Sequence, residues 1–374
     1  MEKKITIAFD AKRAFRNKSG LGNYSRTLIG ALQKQFPEHH YALYASKRPI
    51  PEYAHFAEEM TTYYPEGWWM AAPVLWRSFG MARAINADVF HGLSNELPLL
   101  KRTAFKKVVT IHDLIFLKHR EQYPVIDRAI YDFKSKWACT YADAIIATSE
   151  ETKEDIVRFY GIPEDKVTVV YQSCERQFFE VPNNEKLANV RRKLQLPERY
   201  ILNVSSFYSR KNHAALIAAF EKIAGQIEEH LVLSGHEGDL REAVERRIAS
   251  SKFASRIHLL QIANDDLPAV YAMATAFVYP SFFEGFGIQL AEAMAMRTPL
   301  VISNIRCFRE VAGDAALYFN PNAEEELAKL LLQLLSSGQL QNELRAKAQI
   351  RSVIFSPQNF AEQIMKVYKK VLES

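Results

Sequence analysis

PSFFEGFGIQLAEAMAMRTPLVISN, residues 280–304, decides the fold. The run AFVYPS (276–281) reads as a strand that ends as this stretch begins. A turn carrying Gly285 and Gly287 follows, an amphipathic segment starts near Gly287 and runs to about Met296, and PLVISN (299–304) reads as the next strand. Strand, turn, helix and strand in this order make a parallel-sheet unit with a right-handed crossover. Both strands are nearly continuous apolar stretches, the pattern of strands covered on two faces.

The same alternation extends in both directions. Toward the N-terminus the strand candidates are ITIAFDA (5–11), HYALYAS (40–46), ADVFHGL (87–93), VVTIHD (108–113), AIIATS (144–149) and VTVVYQS (167–173). Around the opening stretch lie YILNVSS (200–206), LVLSG (231–235), IHLLQI (257–262) and ALYF (316–319). Asn212–Ile227, Glu284–Met296 and Glu324–Leu335 are the clearest amphipathic segments between them. Twelve strands are many for one open sheet, so the expectation is two α/β domains of about six strands each. The stretch from Ser173 to Arg199 has no strand signal and contains Pro-Asn-Asn, which puts the boundary there. Two such domains facing one another make a cleft, and open α/β sheets bind ligands at the carboxyl ends of their strands.

The length of 374 residues suits two domains, and 48% apolar with 24% charged residues excludes a disordered, collagen-like or disulfide-stapled chain. The net charge of +5 permits phosphate ligands without demanding them. Arg and Lys are dispersed, which argues against a nucleic-acid reader. Cys139, Cys174 and Cys307 lack metal or redox spacing, which favours a reducing compartment. The N-terminus lacks the apolar run of a secretory leader, and Pro268 and Pro280 break the longest uncharged run. The expected place is the cytoplasm or the inner face of a membrane. Trp68, Trp69 and Trp76 crowd into GWWMAAPVLWRSFGMARAI. They read either as a membrane-docking segment or as one buried face of a helix.

Two stretches carry chemistry. In EGFGIQL, glycines let a ligand approach the backbone, and a helix N-terminus offers free N–H groups to an anion. Glu284 and Glu292, eight residues apart, suit sugar hydroxyls rather than phosphates. In NVSSFYSRKN (203–212), Arg210 and Lys211 follow a strand end and can clamp a diphosphate, Arg as a planar fork and Lys as a point charge. Taken singly, each stretch also fits a Gly-rich turn with solvated glutamates or a solvated basic pair. A close Gly-x-Gly-x-x-Gly dinucleotide loop does not follow the first strand, where AKRAFRNKSGLGNY stands.

As a set, these residues resemble the retaining glycosyltransferases of family four. EGFGIQLAEAMA, TPLVISN, FREVAGDAALYFNP, the RKN motif and DDLPAVYAMATAFVYPS carry the resemblance in order and spacing. SGLGNYSRTLIGAL, DVFHGLSNELP, VVTIHDLIF and ADAIIATSEETKEDI extend it through the first half. The resemblance implies a GT-B fold of two Rossmann-like domains. Residues 1–175 would bind the acceptor, 176–357 would hold the nucleotide sugar, and a helix over 358–374 would pack back on the first domain. It implies that Arg210 and Lys211 bind the donor phosphates, that Glu284 contacts the transferred sugar and that Glu292 holds the ribose. Gly285, Phe286 and Gly287 would offer backbone amides. Gly20 and Gly22 would lie on a flexible loop near the phosphates, His112 would line the reaction centre, and His91 and Asn95 would meet the acceptor. The family departs from this chain at Ser205–Ser206 and at Gln261, where glycine is common.

The implied reaction retains anomeric configuration by front-face displacement. It uses a nucleotide sugar, GDP-mannose-type or UDP-linked, a glycan or lipid-linked acceptor, and no metal or other cofactor. The product would be a surface polysaccharide. Peripheral membrane contact stays open, as do a nucleotide-sugar 2-epimerase and a non-catalytic nucleotide-sugar sensor on the same fold.

Overall fold

The computed structural model describes residues 4–235 and 238–373, so Ser374, the last residue of the expected C-terminal helix, lies outside it. The chain forms two compact units, Met1–Glu175 with Phe355–Ser374, and Arg176–Ile354.

The first unit holds β1 (Thr6–Asp10), β2 (His40–Tyr44), β3 (Thr61–Tyr63), β4 (Val89–Gly92), β5 (Lys106–Ile111), β6 (Ala144–Ala147) and β7 (Val167–Val169). They form one parallel sheet in the order β3-β2-β1-β4-β5-β6-β7. The second holds β8 (Tyr200–Val204), β9 (His230–Ser234), β10 (Ile257–Leu260), β11 (Ala276–Tyr279), β12 (Leu300–Ser303) and β13 (Ala316–Phe319), ordered β10-β9-β8-β11-β12-β13. That sheet is parallel throughout. In each sheet the winding direction reverses once, between β1 and β4 and between β8 and β11. The connecting helices diverge there and leave a crevice at the strand ends, the place where such sheets bind ligands.

The seventh strand of the first sheet, β3, departs from the expected six. Thr61–Tyr63 is a short edge strand, mostly exposed, so it needs no apolar run. The central strands behave as parallel strands should: β4, β11 and β12 are buried at every position. The amphipathic segment placed at Glu284–Met296 becomes helical only at Ile288 and ends at Ala295. Its first residues form the turn instead.

The C-terminal helix Pro357–Glu373 belongs to the core of the first unit. Phe360, Ile364, Val367, Tyr368 and Val371 pack in one cluster with Phe9, Leu28 and Ile29, facing the helix Gly20–Gln35. Each such side chain contributes about 1.5–3 kcal/mol by burial. Tyr368 also reaches a histidine. Its hydroxyl lies 2.7 Å from His91 Nδ1, while His91 Nε2 is 2.8 Å from Thr110 Oγ1, which in turn meets the Tyr24 hydroxyl at 2.8 Å.

The tryptophan-rich segment divides. Trp76 is buried, Trp69 stacks between Trp68 and the backbone at Gly80, and Trp68 is 65% exposed. Among the described residues, no helix is long and apolar enough to cross a membrane.

Burial pushes His91 down to about 3, helped by the charge of His112, and pushes His112 down to about 4. Both rings are therefore neutral in the folded unit at pH 7. The unfolded chain takes up their protons near the ordinary value of 6.5. Their contribution is complete above that pH and is lost as pH falls toward the folded values, by about 1.4 kcal/mol per pH unit for each ring. Unfolding followed between about pH 7 and about pH 4 should show this loss, with a shallower dependence in His91→Gln. A stability independent of pH over that span would contradict it.

Candidate active site

The loops after β8 and β11 meet because those strands are neighbours at the reversal of the second sheet. Ser209–Lys211 make one tight helical turn, and Asn212 closes it in the left-handed conformation at φ 54°. The Asn212 amide donates to the carbonyls of Pro280 at 3.3 Å and Pro321 at 2.8 Å. The Phe282 N–H donates to the Arg210 carbonyl at 2.9 Å. These bonds stitch the basic pair to the EGFG loop through backbone and amide contacts alone.

Glu284 is the centre of the site. Its Oε2 lies 2.6 Å from Arg210 Nη1, and its Oε1 accepts from Lys211 Nζ and, at 2.9 Å, from Ser281 Oγ. Lys211 also donates to the Tyr279 hydroxyl at 2.6 Å, and that hydroxyl donates to Gln289 Oε1 at 3.0 Å. The Glu284 and Lys211 side chains are only 8% and 6% exposed, whereas Arg210 keeps 23%. Burial pushes the Glu284 carboxyl up, but the charges of Arg210 and Lys211 outweigh burial and hold it at about 2. It is a carboxylate at any physiological pH.

Glu292 lies on the helix Ile288–Ala295, is buried, and accepts from the Tyr271 hydroxyl at 2.9 Å. Gly287 caps that helix at φ +84°, and a Cβ there would stand 2.8 Å from the Phe308 ring, so only glycine fits. Phe286 is buried, and its carbonyl accepts from Cys307 Sγ at 3.3 Å. Gly285 precedes it in the same loop. At the departure from family pattern, the buried Ser205 uses its hydroxyl on Asn203 Oδ1 and His213 Nε2, at 3.0 Å each.

The remaining candidates belong to the first unit. His112 follows β5, with Nε2 2.9 Å from the Leu93 carbonyl and Nδ1 3.4 Å from Gln172 Nε2. The Leu93 carbonyl can only accept, so His112 carries its proton on Nε2. Tyr24 stands edge-on to the ring at 4.6 Å. Asn95 adopts φ 56°, accepts from the His112 N–H at 3.0 Å and donates to the Asp113 carbonyl at 3.2 Å. Its amide braces the turn that carries His112. His91 is fully enclosed, with both ring nitrogens engaged by Tyr368 and Thr110. It is a core residue, and the acceptor role expected of it does not hold. Gly20 and Gly22 lie in the first turn of the helix Gly20–Gln35, not on a flexible loop. A Cβ on Gly22 would stand 1.9 Å from the Asn17 carbonyl oxygen, which accounts for that glycine by packing.

The sequence reading passed over a cavity of about 580 Å³ in the first unit, at the ends of β1 and β4. Arg77 bridges two carboxylates there, with Nε 2.8 Å from Asp10 Oδ2 and Nη1 on Glu96. Lys134 approaches Glu96 at 3.5 Å. Lys12, Arg13, Arg16 and Lys47 line the same space. The available signal was the cationic run AKRAFRNK directly after the first strand. Among the described residues, no three His, Cys, Asp or Glu side chains are grouped to hold a metal ion.

Removing the Glu284 carboxylate leaves the buried Lys211 beside Arg210 with no counter-charge between them. Glu284→Ala should lower the unfolding free energy by about 3 kcal/mol or more, and Lys211→Met should cost less because Arg210 still neutralises the carboxylate. Denaturant unfolding of both variants checks this, and near-equal small losses would contradict it.

Residues 18–175 match the family described as Glycosyltransferase Family 4, and residues 187–351 match Glycosyl transferases group 1. The O-antigen chain mannosyltransferase B of Escherichia coli is 30% identical over 286 residues, covering 75% of this chain and 74% of its own. The E. coli serotype-specific mannosyltransferase WbdA is 29% identical over 72% of this chain, which spans only 34% of that longer protein. The Anabaena protein HepE, solved with UDP and glucose, superposes with a TM-score of 0.77 at 16% identity over 98% of this chain and 99% of its own. With two Rossmann-like units and matches to both family descriptions, the chain belongs to the group 1 glycosyl transferases and is a glycosyltransferase of the GT-B fold.

Proposed function

We propose that this enzyme transfers a hexose from a GDP-mannose-type donor to a glycan or lipid-linked glycan in surface-polysaccharide synthesis. It retains the anomeric configuration and needs no metal. The observation that carries the proposal is the buried set of Arg210, Lys211 and Glu284 at the reversal of the second sheet. The similarity to two E. coli mannosyltransferases, one of them of the O-antigen chain, supports the choice of sugar and product. A UDP-linked donor is the alternative.

Arg210 and Lys211 take the donor diphosphate and stabilise the charge it gains as the bond to the sugar breaks. Glu284 orients both cations. Its Oε2, which meets Arg210, would accept a hydroxyl of the transferred sugar. Glu292 holds the ribose, and the amides of Gly285–Gly287 lie along the sugar and phosphate.

Proton transfer follows from the electrostatics. Glu284, held at about 2, is no proton donor at neutral pH, and His112, held at about 4, is neutral and contributes hydrogen bonds only. The departing phosphate oxygen therefore takes the acceptor's proton as the acceptor attacks the same face of the sugar. The work proceeds on the cytoplasmic side. The exposed Trp68, Met70 and Val74 support a peripheral contact with the membrane.

Transfer from GDP-mannose and from UDP-sugars should be compared in wild type and Lys211→Ala, with the product anomer read by NMR. The expected result is an α-linked product from the α-linked donor and a loss of roughly 100-fold or more in the variant. The kcat/KM of the wild type should show no titration near the ordinary histidine value of 6.5, because His112 titrates at about 4. An inverted product, a variant with wild-type turnover, or a histidine-like step in the pH profile would each defeat part of this mechanism.

A further inference from the structure

The crevice of the first unit is a built cavity with an excess of positive charge. Asp10 and Glu96 are its two carboxylates against six cations; both pair with Arg77, and Glu96 also meets Lys134. Burial raises the Glu96 carboxyl, but the Arg77 charge overcomes this and holds it at about 2. Lys12, Arg13, Arg16 and Lys47 line the same space, and of these Lys12 feels the charges of Glu96 and Asp10. The Arg13 Nε is buried and has no hydrogen-bond partner among the described residues. Lys12 is held below the ordinary lysine range, first by burial and then by the charge of Arg77. Several cations are thus crowded into a space of about 580 Å³. An anion with several oxygens would relieve that repulsion and satisfy the guanidinium.

The rim has opposite character. Val74 and Phe133 line the cavity and are 76% and 56% exposed. Phe133 lies on the helix Val125–Tyr141, where Ile126 and Ile130 share its face and are also exposed. Beside Val74 in the chain, Met70, Leu75 and Phe79 are exposed as well. Glu96, which meets both Arg77 and Lys134, ties these two segments to one cavity. Large apolar side chains left in water around a charged pocket mark a ligand with a charged head and an apolar chain.

We propose that this cavity binds the phosphate or diphosphate head of a lipid-linked acceptor, whose apolar chain leaves over Val74 and Phe133. The word acceptor rests on the function proposed above; the binding chemistry does not. Lys12, Arg13 and Lys47 neutralise the phosphate oxygens, and Arg77 stays bound to Asp10 and Glu96 and fixes the floor. An anionic phospholipid offers the same chemistry. A concave pocket with cations from several elements suits one defined head group better than a flat lipid surface.

Calorimetry on the full chain tests this with farnesyl diphosphate, inorganic diphosphate and farnesol, and with phosphatidylglycerol vesicles as competitor. Farnesyl diphosphate should bind about tenfold or more tightly than inorganic diphosphate, and farnesol should not bind measurably. The double variant Lys12→Gln/Lys47→Gln should weaken both anions by about tenfold. Val74→Ser/Phe133→Ser should remove only the advantage of the chain. GDP titrated into the same variants reports on the second unit. If farnesyl diphosphate binds as described while no nucleotide binds the wild type, the cavity assignment stands and the donor reading falls. Equal affinity for the two diphosphates, indifference to the lysine variants, or vesicle binding that farnesyl diphosphate does not displace would overturn the proposal.

Discussion

A carboxylate sealed from water between a buried lysine and a partly exposed arginine is the constraint around which the second unit is arranged. Taking these charges out of water costs several kcal/mol per ion, and a buried ion pair seldom returns more than that. The trio of Glu284, Arg210 and Lys211 is therefore poor evidence of a stabilising device and good evidence of a working one. Its surroundings hold it in place. Asn212 pins the RKN turn, Tyr279 accepts from Lys211 and donates its own O–H to Gln289, and Gly287 lets the chain turn beneath Phe308. Each of these residues holds the charge arrangement in one geometry, and on the function proposed above it is ready before a donor arrives, which is how preorganised electrostatics lowers a barrier.

The first unit uses the same topology with the opposite charge pattern. At β8 and β11 one carboxylate stands between two cations. At β1 and β4 one guanidinium stands between two carboxylates, and further cations surround them. Both arrangements sit where a parallel sheet reverses its winding, because only there do the loops from two adjacent strands approach without a helix between them. The C-terminal helix reinforces the first unit from its interior, through Phe360, Ile364 and Tyr368, and Tyr368 fixes the His91 ring.

Most of the fold was legible because parallel strands covered on both faces advertise themselves. β11 and β12 are apolar from end to end, and the runs AFVYPS and PLVISN report it. β3 was not legible, since an exposed edge strand of three residues has no apolar pattern to show. The RKN and EGFG stretches stood out because charge and glycine follow strands, and the structure brings the two together after β8 and β11. His91 misled, because a histidine near a strand end gives no sign of whether its ring faces the core. Gly20 and Gly22 misled for a related reason. Glycine suggests a loop, yet Gly22 is there to let a helix start against the Asn17 carbonyl. The cationic cavity was only half legible, since AKRAFRNK follows the first strand but Lys47, Arg77 and Lys134 are distant in sequence and only the strand order brings them to it.

The most direct test of the account is nucleotide binding to the second unit's ion-pair site. Calorimetric titration of the full chain with GDP, UDP, ADP and dTDP, with and without a divalent cation, measures it. The account predicts that one of these nucleotides, GDP first, binds without metal, and that Arg210→Gln weakens it while the Lys12→Gln/Lys47→Gln variant leaves it unchanged. Binding that needs the cation, or that ignores Arg210→Gln, would contradict the claim that these side chains hold the donor diphosphate.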